Sequence, residues 1–360
     1  MTVEVLISAR DPIVVRDGRP FGQGGRMKTL PWPYPSTVTG AMRTALGKIG
    51  GSDFPPDVVC ALKMVSVHGP LPVSKGSLYF PCPKDAVLRA DDGRMFAARP
   101  VGDGDNPKPV CLPADTEDGF KPALLPAFWS TTKITEWLLS ASDAGVAAPG
   151  EAEGIGTPAV DYRTHTRIEE NTGSAQEGML FQTAGLALSP EVQLCVRVAG
   201  HECFGGILED QLPFLRPVGG ERRLARWELS TCALWKCPES IRETVQGCQR
   251  IRMVLATPAI FENGWLPGWL KDGHLPGTAV PVSLVGAVVG RWQPISGWNL
   301  ERGRTGPKPV RRLVPAGSVY FLEVPKGIKL PIEDLWLAPV SDDDQDRRDG
   351  FGSAIWGTWN

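Results

Sequence analysis

Pro31-Trp32-Pro33-Tyr34-Pro35-Ser36-Thr37-Val38-Thr39-Gly40-Ala41-Met42-Arg43-Thr44-Ala45-Leu46-Gly47-Lys48-Ile49 is the stretch on which the fold turns. Its first five residues hold three prolines and are stiff and extended. Ser36 reads as a helix N-cap. Val38, Ala41, Met42, Ala45, Leu46 and Ile49 then recur at helical spacing, with Arg43 off the apolar stripe. Gly50-Gly51 stops the element. Upstream, residues 2–9 are rich in β-formers and end at Arg10-Asp11-Pro12, a strand stopped by a turn. A strand followed by an amphipathic helix opens an α+β unit. Between the two, Arg16-Asp17-Gly18-Arg19-Pro20-Phe21-Gly22 and Gly24-Gly25 make a loop of basic side chains and bare backbone that runs to Lys28.

Downstream, residues 58–67 and 77–80 read as strands. The stretch 81–126 is dense in Pro, Gly and Asp and reads as a long surface excursion. Phe128 to Leu139 predicts a short helix capped by Ser130 or Thr131, with Ile134, Trp137 and Leu138 inward. Residues 143–158 read as flexible. From Asp161, Arg163, His165 and Arg167 alternate with Thr164 and Thr166, so one strand face carries all three basic groups. Asn171-Thr172-Gly173 turns the chain back toward Met179–Phe181, a hairpin with a polar tip. Val192–Val198 is a strongly alternating strand. Gly219-Gly220-Glu221-Arg222-Arg223 is a second glycine-basic loop. A short helix follows over 238–245, then strands at 250–256, 283–289 and 318–324. Trp298 to Arg312 carries Arg302, Arg304, Lys308, Arg311 and Arg312 against Glu301. Residues 342–349 are acidic, and Gly350 to Trp359 is a glycine/aromatic end. Strand, helix, strand, strand, helix, strand is the rough order of each half, which predicts two ferredoxin-like units.

The composition narrows the function. The chain has 360 residues with 38 Lys+Arg, 40 Asp+Glu and a net charge of −2, which excludes a uniformly basic nucleic-acid coater and an acidic tail protein. No apolar run reaches the length of a membrane span. Residues 1–7 lack a basic n-region and a small-residue cleavage site, so the reading expects a cytoplasmic protein. None of the 8 cysteines forms a Cys-x-x-Cys pair. His201-Glu202-Cys203 offers two zinc ligands where a site wants four, and reduced thiols are expected. Metal-hydrolase and P-loop signatures are absent, and no cofactor is implied.

What remains is basic side chains beside glycines in separated segments: 16–28, 163–167, 220–226 and 302–312. Arginine forks grip phosphates, and a glycine backbone lets a polyanion reach its N–H groups. Phe21, Trp298, Phe351 and Trp356 lie in or near these segments or the C-terminal glycine loop and are candidates to stack on bases. With no Arg/Lys-rich recognition helix, single-stranded RNA is favoured over duplex DNA.

At this point the sequence resembles a known family. Asp11-Pro12, Arg16 to Phe21 and Pro33-Tyr34-Pro35-Ser36-Thr37-Val38-Thr39-Gly40-Ala41-Met42-Arg43 resemble the start of the third subunit of the Cmr effector complex, a RAMP-superfamily component of type III-B CRISPR systems. The likeness recurs at Arg163 to Glu170, Gly219 to Arg223, Ala256 to Phe261, Gly264-Trp265, Gly297-Trp298, Pro307 to Pro309 and Val314 to Tyr320. Gly350-Phe351-Gly352 to Gly357 resembles the RAMP glycine-rich loop, though poor in Lys and Arg. The resemblance implies α+β architecture with two tandem ferredoxin-like (RRM-like) domains, long insertions and a protruding β-hairpin thumb. The first domain would be 1–215, with an insertion at about 81–160 and the hairpin at about 161–182; the second would be 216–360.

It implies a non-catalytic subunit holding the 5′ handle of the CRISPR RNA at the foot of the complex. Its neighbours would be the large polymerase/cyclase-like subunit and the repeating backbone subunit, with target RNA met only indirectly. RNA-binding candidates are Arg16, Arg19, Phe21, Gly22, Lys28, Ser36, Thr37, Arg43, Arg163, His165, Arg167, Arg222, Arg223, Lys308, Arg311, Gly350 and Gly352. The acidic run 342–349 is odd for an RNA groove and is expected to face solvent or a basic partner. Two alternatives stand beside this. In one, His165 activates a 2′-hydroxyl in a metal-independent endoribonuclease, with Arg163 and Arg167 stabilising the developing charge. In the other, the 12 tryptophans anchor protein interfaces with no RNA contact.

Overall fold

The computed structural model describes residues 2–16, 28–49, 51, 54–102, 104–113, 119–140, 146–200, 207–299 and 306–360. β1 (Thr2–Ala9) and α1 (Pro35–Ile49) lie where the spacing predicts them. The helix starts at Pro35, whose fixed φ suits a first helical turn, so Ser36 sits within that turn and does not cap it. α2 (Pro56–Met64) stands where a strand was expected. Pro56 at the first helical position and Asp57 in the first turn outweigh the β-propensity of Val58-Val59-Cys60. β2 (Ser66–Ser74) then turns through Lys75 and Gly76, both at positive φ, into β3 (Ser77–Pro81).

β4 (Phe128–Ser130) feeds α3 (Thr131–Leu139), capped by Ser130, whose hydroxyl accepts from the Lys133 N–H. β5 (Gly154–Ile155) precedes the hairpin of β6 (Ala159–Ile168) and β7 (Ala175–Ala187). β8 (Val192–Ala199), β9 (Phe214–Pro217) and β10 (Leu224–Leu229) complete an antiparallel sheet in the order β5-β4-β3-β2-β8-β1-β10-β9. This sheet therefore runs past residue 215. The second half supplies α4 (Glu239–Val245), β11 (Arg250–Leu255), β12 (Ser283–Val288), a small hairpin of β13 (Gln293–Ile295) and β14 (Arg311–Leu313), β15 (Val319–Glu323), α5 (Asp344–Arg348) and β16 (Ala354–Thr358). Its four-stranded sheet has the order β12-β15-β11-β16.

The two sheets repeat one plan. If β1, β2, β8 and β10 are numbered one to four, they lie side by side as 2-3-1-4, and β11, β12, β15 and β16 do the same. Neighbours are antiparallel throughout. The fold is α+β with mostly antiparallel sheets.

Each hydrophobic core draws on both halves. The first packs Val38, Met42 and Leu46 of α1 against Val5, Val67 and Val196, and closes with Ile260, Leu313 and Phe351 from the second half. The second packs Ile251, Met253, Phe321 and Trp356 against Trp129, Ile134, Trp137 and Leu138. Between β11 and β12 the second half offers only a 3-10 turn, Gly268–Lys271. α3, lent by the first half, and α4 pack against β16.

The expected surface excursion at 81–126 is thus corrected. Asp85 is buried at 0 % exposure, Met95 at 1 % and Phe96 at 3 %. The Asp85 carboxylate accepts from Trp137 Nε1 at 3.0 Å and from Arg252 Nη1 at 2.7 Å, while Arg252 Nη2 donates to the Trp137 carbonyl. Burial pushes the guanidinium pKa down, and Asp85 opposes it. The turn-rich composition hid this because the ion pair spans 167 residues of sequence.

Candidate nucleic-acid interface

Two of the basic-glycine segments meet. After β1, Ile13 bridges to Leu186 and Val14 to Gly220, whose N–H donates to the Val14 carbonyl at 2.7 Å. Gly219 has φ 74°, and a Cβ there would stand 2.5 Å from that carbonyl, so glycine is what lets the 219–223 turn close on residues 13–15. Glu221 and Arg222 also take positive φ, which projects Arg222 to solvent.

Beside this junction runs the open face of α1. Together they form a groove of about 600 Å³ lined by Arg16, Thr37, Gly40, Thr44, Lys48 and Arg216, with no carboxylate in its wall among the described residues. A Cβ at Gly40 would meet nothing within 4 Å, so a ligand has direct access to helix backbone there. The Arg216 guanidinium lies 5.6 Å from the Phe214 ring centroid and makes one long bond, 3.4 Å, to the Leu215 carbonyl. Three cations around a cleft with hydroxyls and bare backbone can hold a phosphate chain.

Of the RNA-binding candidates, Arg16 and Thr37 line the groove, and Lys28 is exposed next to Thr29, which bridges to Arg16. Ser36 lies in the first turn of α1, and Arg223 is half-buried behind the 219–223 turn. Arg19, Phe21 and Gly22, and the cysteine-histidine pair at 201–203, lie outside the described residues. Lys48, Thr44 and Arg216 were missed. The available signal was the row Thr37-Gly40-Thr44-Lys48, a small polar stripe at helical spacing beside the apolar one.

Several expected contacts are internal. Arg43 donates to Asp349 Oδ1 at 2.6 Å and to the Val65 carbonyl at 2.7 Å, joining α1 to the C-terminal loop. Arg311 Nη1 lies 2.8 Å from both oxygens of Asp346, and Lys308 is exposed on the small hairpin. Gly350 and Gly352 have φ 88° and 85°, and their N–H groups donate to the Arg347 and Pro258 carbonyls. A Cβ on Gly350 would stand 2.4 Å from the Val67 carbonyl. Phe351 and Trp356 are 1 % and 0 % exposed, so they are core residues and not base platforms. The acidic run is corrected in the same way. Asp342 accepts from the Glu262 and Gly268 N–H groups, Asp343 caps α5, and Asp346 and Asp349 hold Arg311 and Arg43. Burial raises the Asp346 pKa, against the pull of Arg311.

The hairpin of β6 and β7 presents two faces. Arg163 and His165 share one with Thr183 and Phe181, their cross-strand neighbours, while the register breaks at Arg167, which corrects the expected unbroken alternation. His165 Nε2 is 3.0 Å from Thr183 Oγ1, and its ring stacks on Phe181 at 5.2 Å between centroids. Arg163 Nε meets Asp161 at 2.7 Å. Tyr162, Ile168 and Leu180 stand exposed on the other. Among the described residues, no group of three or more His, Cys, Asp or Glu is placed to hold a metal.

Comparison with known proteins decides the family. The family model described as CRISPR-associated protein (Cas_Cmr3) matches residues 5–359. This chain belongs to the Cas_Cmr3 family. Among solved structures, this family member is similar to a chain of the type III-B Cmr-beta complex bound to cognate target RNA. The two are 15 % identical at TM-score 0.52, aligned over 88 % of this chain and 86 % of that one. The same complex with target RNA and AMPPnP gives the same figures. A chain of the Csm3-Csm4 subcomplex from a type III-A interference complex aligns along its full length at 12 % identity and TM-score 0.44. A search of curated proteins returns no match. No helix among the described residues is long and apolar enough to cross a membrane.

Proposed function

We propose that this Cas_Cmr3 chain is a non-catalytic, RNA-holding subunit of a cytoplasmic type III-B effector complex. The groove of Arg16, Lys48 and Arg216 carries the reading, because its described wall is basic, holds no carboxylate and is open to backbone. It grips the 5′ handle of the CRISPR RNA, and the basic face of the β6–β7 hairpin props the strand where handle meets spacer. The chain docks the large polymerase/cyclase-like subunit and the repeating backbone subunit, meeting target RNA through them. We assign two tandem ferredoxin-like units, β1 to β10 and β11 to β16, on the strength of their shared 2-3-1-4 strand order. The imidazole of His165 faces a threonine and a phenyl ring, which suits a stacked, positioning role better than proton transfer.

A filter-binding titration with handle RNA across salt concentrations tests the proposal. Each phosphate the protein no longer neutralises should flatten the slope of log K against log salt by about 0.7 on a single strand. Arg16→Ala, Lys48→Ala and Arg216→Ala together should flatten it by about 2. An unchanged slope in the folded triple variant would overturn the groove assignment.

A further inference from the structure

We propose that the cleft between Trp265 and Trp292 in the second half is a separate nucleotide site, taking an unpaired base on an indole and its phosphate on Arg291 and Arg312. The cleft holds about 650 Å³ and is walled by those four side chains with Asn263 and Gly290, and no carboxylate among the described residues lines it. It shares no lining residue with the first groove and does not depend on that reading.

Three observations mark it as a binding surface. Trp265 and Trp292 are 42 % and 49 % exposed, whereas Trp129, Trp137, Trp227 and Trp356 are fully buried. Both tryptophans are anchored, Trp265 through its backbone and Trp292 through its ring. Trp265 sits on the turn opened by Gly264 at φ 75°, and its carbonyl accepts the buried Tyr320 hydroxyl at 2.6 Å. Arg312 lies 5.0 Å over the Trp292 ring and is paired in register with Pro294, so β13 and β14 fix both. Finally, neither Arg291 nor Arg312 has a carboxylate partner among the described residues. A rigid exposed indole backed by unpaired guanidinium is the chemistry that stacks a base and neutralises its phosphate. Asn263 adds an amide for a base edge.

The base could belong to a strand or to a free nucleotide, and the experiment separates them. The full chain carrying Arg16→Ala, Lys48→Ala and Arg216→Ala is titrated by fluorescence anisotropy with a labelled ten-nucleotide RNA containing 4-thiouridine. The complex is then irradiated and its crosslinks mapped. Trp292→Ala should weaken binding at least about fivefold, Trp292→Phe should retain most of it, and crosslinks should fall at Trp265 or Trp292. Displacement of the RNA by ATP assigns the site to a free nucleotide, and no displacement assigns it to the strand. The site is rejected if crosslinks avoid both tryptophans and Trp292→Ala binds normally at an unchanged melting temperature. It is rejected equally if that variant loses a partner subunit while binding RNA and ATP as before. An unchanged salt slope in the triple variant alongside a Trp292 effect would instead remove the first groove and leave this site standing.

Discussion

Arg43 and Lys48 stand five residues apart on α1 and do different work. Lys48 points into an open cleft, while Arg43 is bound to Asp349 and to the Val65 carbonyl. Lys48→Ala should therefore flatten the salt dependence of RNA binding by about 0.7 with the melting temperature unchanged. Arg43→Ala should lower thermal stability by about 1–3 kcal/mol, seen in a denaturant titration, with the salt slope kept. The sequence could not tell these arginines and lysines apart, because the partner that claims Arg43 lies 306 residues away. Arg16 and Thr37 were legible because their segments carry glycine or a helix start beside them. A second residue-scale prediction concerns His68, which pairs with Arg197 across β2 and β8. Burial and that arginine lower its pKa from 6.5 to about 4, and its Nδ1 is buried without a partner. The unfolded chain then binds the proton more tightly, so stability falls as pH drops from 6.5 toward 4. The loss should reach on the order of 1–2 kcal/mol by pH 5, and His68→Gln should flatten that part of a stability-versus-pH curve.

α3 shows what an element's sequence can and cannot say. Its cap, its length and its inward Ile134, Trp137 and Leu138 are all written in local spacing. Where it docks is not. Its apolar stripe matches any apolar sheet, and distant contacts tie it to the second one: the Asp85–Arg252 pair, the Arg252 bond to the Trp137 carbonyl and the close approach of Gly357 to Leu138. Asp85→Ala strands a buried guanidinium and should cost about 3–5 kcal/mol in chemical denaturation. Asp85→Leu combined with Arg252→Met should recover most of it, since an apolar pair of similar volume often equals a buried ion pair. The β6–β7 hairpin is the opposite case. Its alternation up to Thr166 was readable because β6 is largely solvent-exposed there, and packing claims only the far end of β7 at Ala184–Leu186. Shortening it between Arg163 and Thr183 should leave the melting temperature within experimental error.

At the scale of the whole chain, two repeats of one strand order are interlocked by an exchange. The first half lends α3 to the second sheet, and the second half returns Phe351 to the first core. A fragment ending at Leu229 should thus fail to give a dispersed amide spectrum, and the intact chain should melt in one cooperative transition by calorimetry. Two independent transitions would contradict the exchange. The strands of the second half were foreseeable from their local signals, but the exchange was not, because each half reads as self-sufficient on its own pattern. The place of Phe351 also bears on how the protein is made. Synthesis runs from the first residue onward at about 5–20 residues per second, and domains commonly fold as they emerge. Here the first core cannot close until residue 351 has been made. The first core therefore stays open while the second half is being synthesised.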